Sequence, residues 1–288
     1  MTSASALGFR SELIFHHHDG EVVDLRAQHG CRVIRTPANP TYYWGNYLLF
    51  DAAPRAADVQ RWPALFEELI AARQPLSTHR AFGWLEDSAG EVEGFLAAGY
   101  THSNATVMQT SVVPDAPAPA IDAELRPLAR TGAAAEREWA ALLELGIATR
   151  SEEHAEAEYR PFAQQRIARW RAQADAGNGD WFGAFVDTEG EPRLAAALGI
   201  YAEQQPEDGE RLARYQWVMT DAAYRRRGLC RALIARAARY ARDALQADRL
   251  IIVAAAGEMP EQLYASLGFA AAGLQRGLQR RPPQPLSA

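Results

Sequence analysis

Apolar and polar positions are most regular in the second half of the chain. Ile121 to Leu128 alternates with a period of two, as a half-buried strand does, and the stretches 133–148 and 154–176 repeat apolar residues at helical spacing. One strand and two helices in succession are predicted. Three strand-like runs follow, Trp181-Phe-Gly-Ala-Phe-Val186, Leu194 to Tyr201 and Leu212 to Thr220, joined by the turn-forming segments Asp187-Thr-Glu-Gly190 and Gln205-Pro-Glu-Asp-Gly209. They read as an antiparallel meander. A long helix from about Gly228 to Leu245, a continuous apolar strand Leu250-Ile-Ile-Val253, a short helix and a last strand complete the order β-αα-βββ-α-β-α-β.

The run Val112-Val-Pro-Asp-Ala-Pro-Ala-Pro-Ala120 disfavours both helix and central strand, and is expected to link two domains. At 288 residues, two domains are the expected organisation: 1–118, 119–280, and a disordered tail at 281–288. Apolar residues make up 48% and charged residues 23%, with no apolar run long enough for a bilayer, so no membrane association is expected. The first ten residues lack the basic start and apolar core of a secretion signal, and Cys31 and Cys230 are the only cysteines. A cytoplasmic location is expected.

All thirty basic residues are arginine, which excludes phosphate-loop nucleotidases, Schiff-base and pyridoxal-phosphate enzymes and Ser-x-x-Lys hydrolases, since each needs a lysine. The net charge of −6 argues against a nucleic-acid partner. That charge is unevenly distributed: residues 225–242 hold seven arginines and no acid, leaving −13 on the remainder. Here a strand leads into Gly228 and a helix starts directly after it. Unpaired amides in a first helical turn, the helix dipole, a glycine permitting close backbone approach, and Arg225, Arg226, Arg227 and Arg231 together make a site suited to a diphosphate. Leu229, Ala232, Leu233, Ala237, Tyr240 and Leu245 form the stripe expected to face inward.

Arg225-Arg-Arg-Gly-Leu-Cys230 resembles the Arg-x-x-Gly-x-(Gly/Ala) acetyl-CoA motif of the GNAT superfamily, with Cys230 in place of the usual small residue. Gln262-Leu-Tyr-Ala-Ser-Leu-Gly-Phe269 resembles that superfamily's Leu-Tyr-x-x-x-Gly-Phe segment, while Gly257 and Pro260 depart from its usual Asn and Ala. The resemblance implies a mixed α/β sheet in an acyl-CoA N-acyltransferase fold, with acetyl-CoA as cosubstrate and no metal. It further implies that the backbone around Val218, Met219 and Thr220 meets the pantetheine arm, that amides from Arg226 through Gly228, Leu229 and Cys230 to Arg231 hold the diphosphate, and that Tyr264 protonates the departing thiolate.

Phe95-Leu-Ala-Ala-Gly-Tyr100 has the spacing of Tyr264-Ala-Ser-Leu-Gly-Phe269. The first half is therefore expected to be a degenerate GNAT-like domain, silent in catalysis because Phe95 has no hydroxyl. A phosphate-turn lookalike, Arg80-Ala-Phe-Gly-Trp-Leu85, precedes two carboxylates and is taken as accidental. The aromatic and amide-rich segment Asn39 to Phe50 could line an acceptor pocket or serve as core, core being favoured. His16-His-His-Asp19, with His29 and Cys31, lacks spaced metal-ligand geometry and is read as exposed strand or loop.

The expected activity is acetyl transfer from acetyl-CoA to a small-molecule or peptide primary amine by direct attack. Glu203, Tyr215, Glu152 and Glu153 are candidates to assist amine deprotonation, and the acidic Ser151 to Glu156 segment would favour a cationic acceptor. The alternatives are a non-catalytic acyl-CoA-binding or assembly module of the same fold, and an arginine-faced nucleic-acid binder. Oligomeric state is not indicated by the sequence.

Overall fold

The computed structural model describes residues 3–16, 20–152, 154–206 and 208–282. They divide into one unit of Met1–Val107, Val253–Glu258 and Ala272–Ala288, and a second of Met108–Ile252 and Met259–Ala271. Within the first lie α1 (Ala4–Leu13), β1 (Glu21–Leu25), α2 (Arg26–His29), β2 (Cys31–Arg35), β3 (Tyr47–Phe50), α3 (Asp58–Phe66), β4 (Arg80–Trp84), α4 (Glu93–Ala97) and the start of β5 (Thr101–Thr110). The second contains β6 (Glu124–Pro127), α5 (Gly132–Ala148), α6 (Glu156–Asp175), β7 (Gly179–Thr188), β8 (Glu191–Ala202), β9 (Leu212–Thr220), α7 (Leu229–Asp243), most of β10 (Arg249–Ala255) and α8 (Met259–Ala265). The last strand, β11 (Ala270–Arg280), ends in the first unit.

Strand order in the second unit is β6-β7-β8-β9-β10. Neighbours are antiparallel through β9, whereas β9 and β10 run parallel, with α7 as the crossover that a parallel pair requires. Thr188 pairs with Glu191, so the β7–β8 hairpin closes on two residues. Those residues, Glu189 and Gly190, have φ of 57° and 87°, the left-handed pair whose twist suits such a turn. Residues Leu194 to Ala202 of β8 are all buried, so both faces of the sheet are covered, by α5 and α6 and by α7. The strand expected from Ile121 begins at Glu124, and residues 121–123 ahead of it line a cleft.

α7 is amphipathic as its sequence requires. Leu229, Ala232, Leu233, Ala237 and Ala241 are buried while Arg236 and Arg239 are exposed. The helix stops ahead of Gln246, which is left-handed (φ 54°) and donates its side-chain amide to the carbonyl of Asp243.

The first unit repeats the order of elements: a β1-β2-β3 antiparallel meander, crossover α3, then β4 parallel to β3 through Leu48↔Phe82. Its next strand comes from the far end of the chain, as β11 pairs antiparallel with β4 through Leu278↔Phe82. Phe50, Trp62, Phe82, Trp84, Phe95 and Tyr100 fill its core, with Phe50 stacked on Trp62 at 3.8 Å.

Candidate active site

In the second unit, the β9–β10 ladder runs from Arg249↔Leu212 to Ile251↔Arg214 and stops there. β9 continues to Thr220. On its other side the register with β8 shifts, Ala197 facing Met219 and Gly199 facing Gln216, so Trp217 and Val218 stand opposite the single residue Leu198. This is a β-bulge, and Trp217 takes a left-handed φ of 46° within it. The bulge re-aims the strand end, leaving Val218 and Thr220 partly exposed while Met219 is buried.

β9 feeds the predicted turn. Asp221 caps a short 3-10 turn at Ala222–Tyr224 by accepting the Ala223 N–H, and the chain then passes through Arg226 (φ 61°) and Gly228 (φ 84°), both left-handed. The first bond of α7 is Ala232 N–H to the Gly228 carbonyl at 3.1 Å, and no side chain caps the helix. The preceding N–H groups of Leu229, Cys230 and Arg231 are thus left to an external acceptor, beside the positive end of the helix dipole.

The arginines of the unit fall into two groups, those paired with a carboxylate and those, such as Arg150, Arg211, Arg242 and the ones around this turn, that among the described residues are not. Arg126, Arg130, Arg160, Arg171, Arg193 and Arg249 each pair with a carboxylate at 2.6–3.0 Å. Among the described residues Arg225, Arg226, Arg227 and Arg231 have no ion pair. Arg225 donates from Nε to the Thr220 carbonyl (3.3 Å), and Arg227 lies 5.5 Å from the centre of the Tyr224 ring. Cations without a contact ion pair at an uncapped helix N-terminus are electrostatically suited to an anion, although Asp122, Glu124 and Asp187 line the same cleft as Arg227.

Tyr264 is buried in α8, with its ring 6.4 Å from that of Phe269. Burial raises its phenol well above the usual tyrosine range. The Cys230 thiol is itself pushed up to about 12 by burial. Cys230 therefore packs as a neutral group, and Tyr264 keeps its proton across physiological pH.

Of the residues expected to assist a base, Glu203 is buried and accepts the Leu212 N–H (3.2 Å) at the start of β9. Tyr215 is buried with its hydroxyl donating to the Ile234 carbonyl (2.9 Å) on α7, and burial raises its pKa strongly. Both serve the packing of β9. Glu152 is exposed, and Glu153 lies outside the described residues. Glu156 and Glu144 both pair with Arg160, which neutralises part of the acidic segment expected to attract a cationic acceptor.

The bulge gathers residues that the sequence did not single out. A Cβ on Gly146 of α5 would lie 3.1 Å from the Trp217 ring. Trp217 sits 5.0 Å from Trp170 and 6.3 Å from Tyr159 of α6, and Arg166 donates to the Gln216 side chain at 3.1 Å while lying 4.6 Å from the Trp170 ring. Their separation in sequence hides them.

In the first unit, α4 reproduces α8. Tyr100 N–H bonds the Phe95 carbonyl (3.0 Å) as Phe269 N–H bonds that of Tyr264 (3.2 Å), and Gly99 and Gly268 have φ of 82° and 86°. The counterpart of the turn ahead of α7, residues 51–57 between β3 and α3, is closed by the protein's own carboxylates. Glu86 accepts the Ala53 N–H (2.9 Å), Glu91 that of Ala56 (2.6 Å) and Asp58 that of Arg55 (2.9 Å). The lookalike at Arg80 to Leu85 forms β4, with Gly83 packed against Phe9. In the aromatic segment, buried Asn46 accepts from Thr36 N–H and donates to the carbonyls of Asn39 and Tyr42, an arrangement of core. His16 and Cys31 are buried, His29 ends α2, and His17, His18 and Asp19 lie outside the described residues. Among the described residues no group of three or more His, Cys, Asp or Glu could hold a metal ion, and no helix is long and apolar enough to cross a membrane.

Residues 139–269 match the model of the acetyltransferase (GNAT) family. No curated protein matches the chain. Among solved structures, the fold is similar to a conserved protein of unknown function from Staphylococcus epidermidis (TM-score 0.68, 12% identity, 92% of this chain and 95% of that one). It is also similar to a GCN5-related N-acetyltransferase from Kribbella flavida (TM-score 0.61, 14% identity, 98% of both chains). A tandem GNAT protein from the clavulanic acid biosynthesis pathway aligns with TM-score 0.50 at 15% identity, over 88% of this chain and 79% of that one.

Proposed function

We propose that this chain, whose second half contains a GNAT acyltransferase domain, moves an acetyl group from acetyl-CoA to a primary amine of a small molecule or peptide. The observation that carries the reading is the uncapped start of α7, with four arginines lacking ion pairs, at the end of a strand that has parted from its parallel neighbour. The amides of residues 226–231 and the arginine side chains suit the diphosphate, and the open edge of β9 at Val218, Met219 and Thr220 suits the amide-bearing pantetheine arm, which can bond to it as a further strand would.

Attack by the neutral amine on the thioester carbonyl forms the C–N bond. Collapse of the tetrahedral intermediate breaks the C–S bond, Tyr264 gives its proton to the sulfur, and the nitrogen loses a proton. Tyr264 then regains one from solvent. Burial supports this role, because a phenol with a raised pKa is fully protonated when the thiolate departs. Glu203 and Tyr215 are committed to bonds within the fold, so we assign deprotonation of the amine to solvent.

We further propose that the first unit holds no acetyl-CoA, since Glu86, Glu91 and Asp58 occupy the amides a phosphate would need. A cytoplasmic location fits the two free cysteines. The test is thiol release from acetyl-CoA across a panel of cationic, neutral and acidic primary amines. Acceptor-dependent release is expected; acetyl-CoA binding without release for any acceptor would replace the enzyme with a binding module.

A further inference from the structure

We infer that Ala120, in the Pro/Ala segment ahead of β6, is a positioning residue that sets the orientation of the Arg227–Gly228 peptide and so aims the Gly228 N–H at the cosubstrate's diphosphate. The inference rests on the acetyl-CoA reading above.

Ala120 N–H donates to the Arg227 carbonyl at 2.9 Å, although more than a hundred residues separate them in sequence. The segment lies directly against the turn: a Cβ on Gly228 would come 3.2 Å from Pro119 Cα and 3.9 Å from the Ala118 carbonyl oxygen. Glycine is therefore required at 228 twice over, by its φ of 84° and by the backbone packed on it. In a trans peptide the carbonyl and the N–H point in opposite directions. Holding the Arg227 carbonyl toward the Pro/Ala segment thus turns the Gly228 N–H away from it, ahead of the Leu229, Cys230 and Arg231 amides, which have no partner among the described residues.

That orientation needs an external hold. The turn contains two left-handed residues, one of them the non-glycine Arg226 at φ 61°, a conformation a side chain disfavours. Its neighbours are tied locally, Tyr224 N–H to the Asp221 carbonyl and Ala232 N–H to that of Gly228. Neither bond touches the Arg227–Gly228 peptide. If that peptide flipped, the carbonyl dipole would face the phosphates and repel them. Ala118 and Ala120 are exposed, and just past them residues 121–124 line a cleft with Phe185, Asp187 and Arg227, so this contact is a pin and not part of a packed core.

The test compares Ala120→Pro, which removes the donor, with Ala120→Ser, which keeps it. Ala120→Pro is expected to raise the Kd and KM for acetyl-CoA about tenfold, the scale of one lost hydrogen bond, and to leave kcat at saturation within about twofold, while Ala120→Ser behaves as wild type. Unchanged Kd in folded Ala120→Pro, or an equal loss in Ala120→Ser, would overturn the inference. Hydrogen exchange on the wild type supplies a readout independent of the variants' folding. In the segment 115–121 only Asp115, Ala116, Ala118, Ala120 and Ile121 carry amides, and saturating acetyl-CoA should slow exchange at Ala120. Unaltered exchange there would also overturn it. A wild-type protein that binds no acetyl-CoA would instead remove the functional reading, and this inference with it.

Discussion

Replacing Tyr264 by phenylalanine removes one oxygen from a buried ring and nothing else. The described residues offer that hydroxyl no hydrogen bond, and the ring's contact with Phe269 survives the change. Stability should therefore stay within about 0.5 kcal/mol of wild type. The rate should not. General acids contribute about 10²- to 10⁴-fold. A thiolate is a fair leaving group, with an ordinary thiol pKa of about 8.5, and a phenol raised above about 10 transfers its proton uphill, so the low end applies. A loss of about 10² in kcat corresponds to about 3 kcal/mol on the barrier. Steady-state kinetics with acetyl-CoA and an active amine should show kcat falling by that factor while the KM for acetyl-CoA holds. Wild-type kcat/KM should rise with pH as the amine loses its proton, with no falling limb from Tyr264 up to pH of about 10, because its folded pKa lies above the ordinary value. Unchanged kcat in Tyr264→Phe would refute the assignment, and a rise in KM alone would make Tyr264 a binding residue.

Gly228→Ala places a side chain at φ 84° and a Cβ 3.2 Å from Pro119 Cα; denaturant titration should show about 1–2 kcal/mol of lost stability, and acetyl-CoA affinity should fall at least about tenfold. Wild-type affinity in that variant would detach the turn from cosubstrate binding. In the first unit, His79 is buried with its pKa lowered to about 4 from 6.5, chiefly by burial, and it stacks on Tyr43 at 4.4 Å. The unfolded chain takes up this proton first, so stability present above pH 6.5 is lost as pH falls toward 4, by about 2 kcal/mol between pH 7 and pH 5. Unfolding midpoints of wild type and His79→Gln should converge as the pH is lowered across that window; a constant gap would refute the buried neutral histidine.

Elements whose signals are local were readable in the sequence. β9 spans Leu212 to Thr220 as predicted, and α5, α6, α7 and the meander differ from expectation by a few residues at their ends. Gly228 marked the turn ahead of α7 because glycine is the residue that signals a left-handed backbone. Trp217 and Arg226 adopt the same conformation without such a mark, so the bulge and the second reversal in the turn were invisible. Long-range bonds were equally hidden: Ala53 is sealed by Glu86 and Ala56 by Glu91 across 33 and 35 residues, and Ala120 reaches Arg227. The surroundings of two base candidates were hidden for a related reason. Glu203 and Tyr215 look reactive in a string of letters, and only the fold reveals the backbone groups that already hold them.

Calorimetric titration of the wild-type protein with acetyl-CoA bears most directly on the central claim. The account predicts one site per chain, weakened when Arg225, Arg226 and Arg227 are replaced together by alanine and unaffected by Glu86→Gln in the first unit. Absence of binding, or wild-type affinity in the triple variant, would contradict a diphosphate site at the start of α7, and two sites per chain would contradict the sealed turn between β3 and α3.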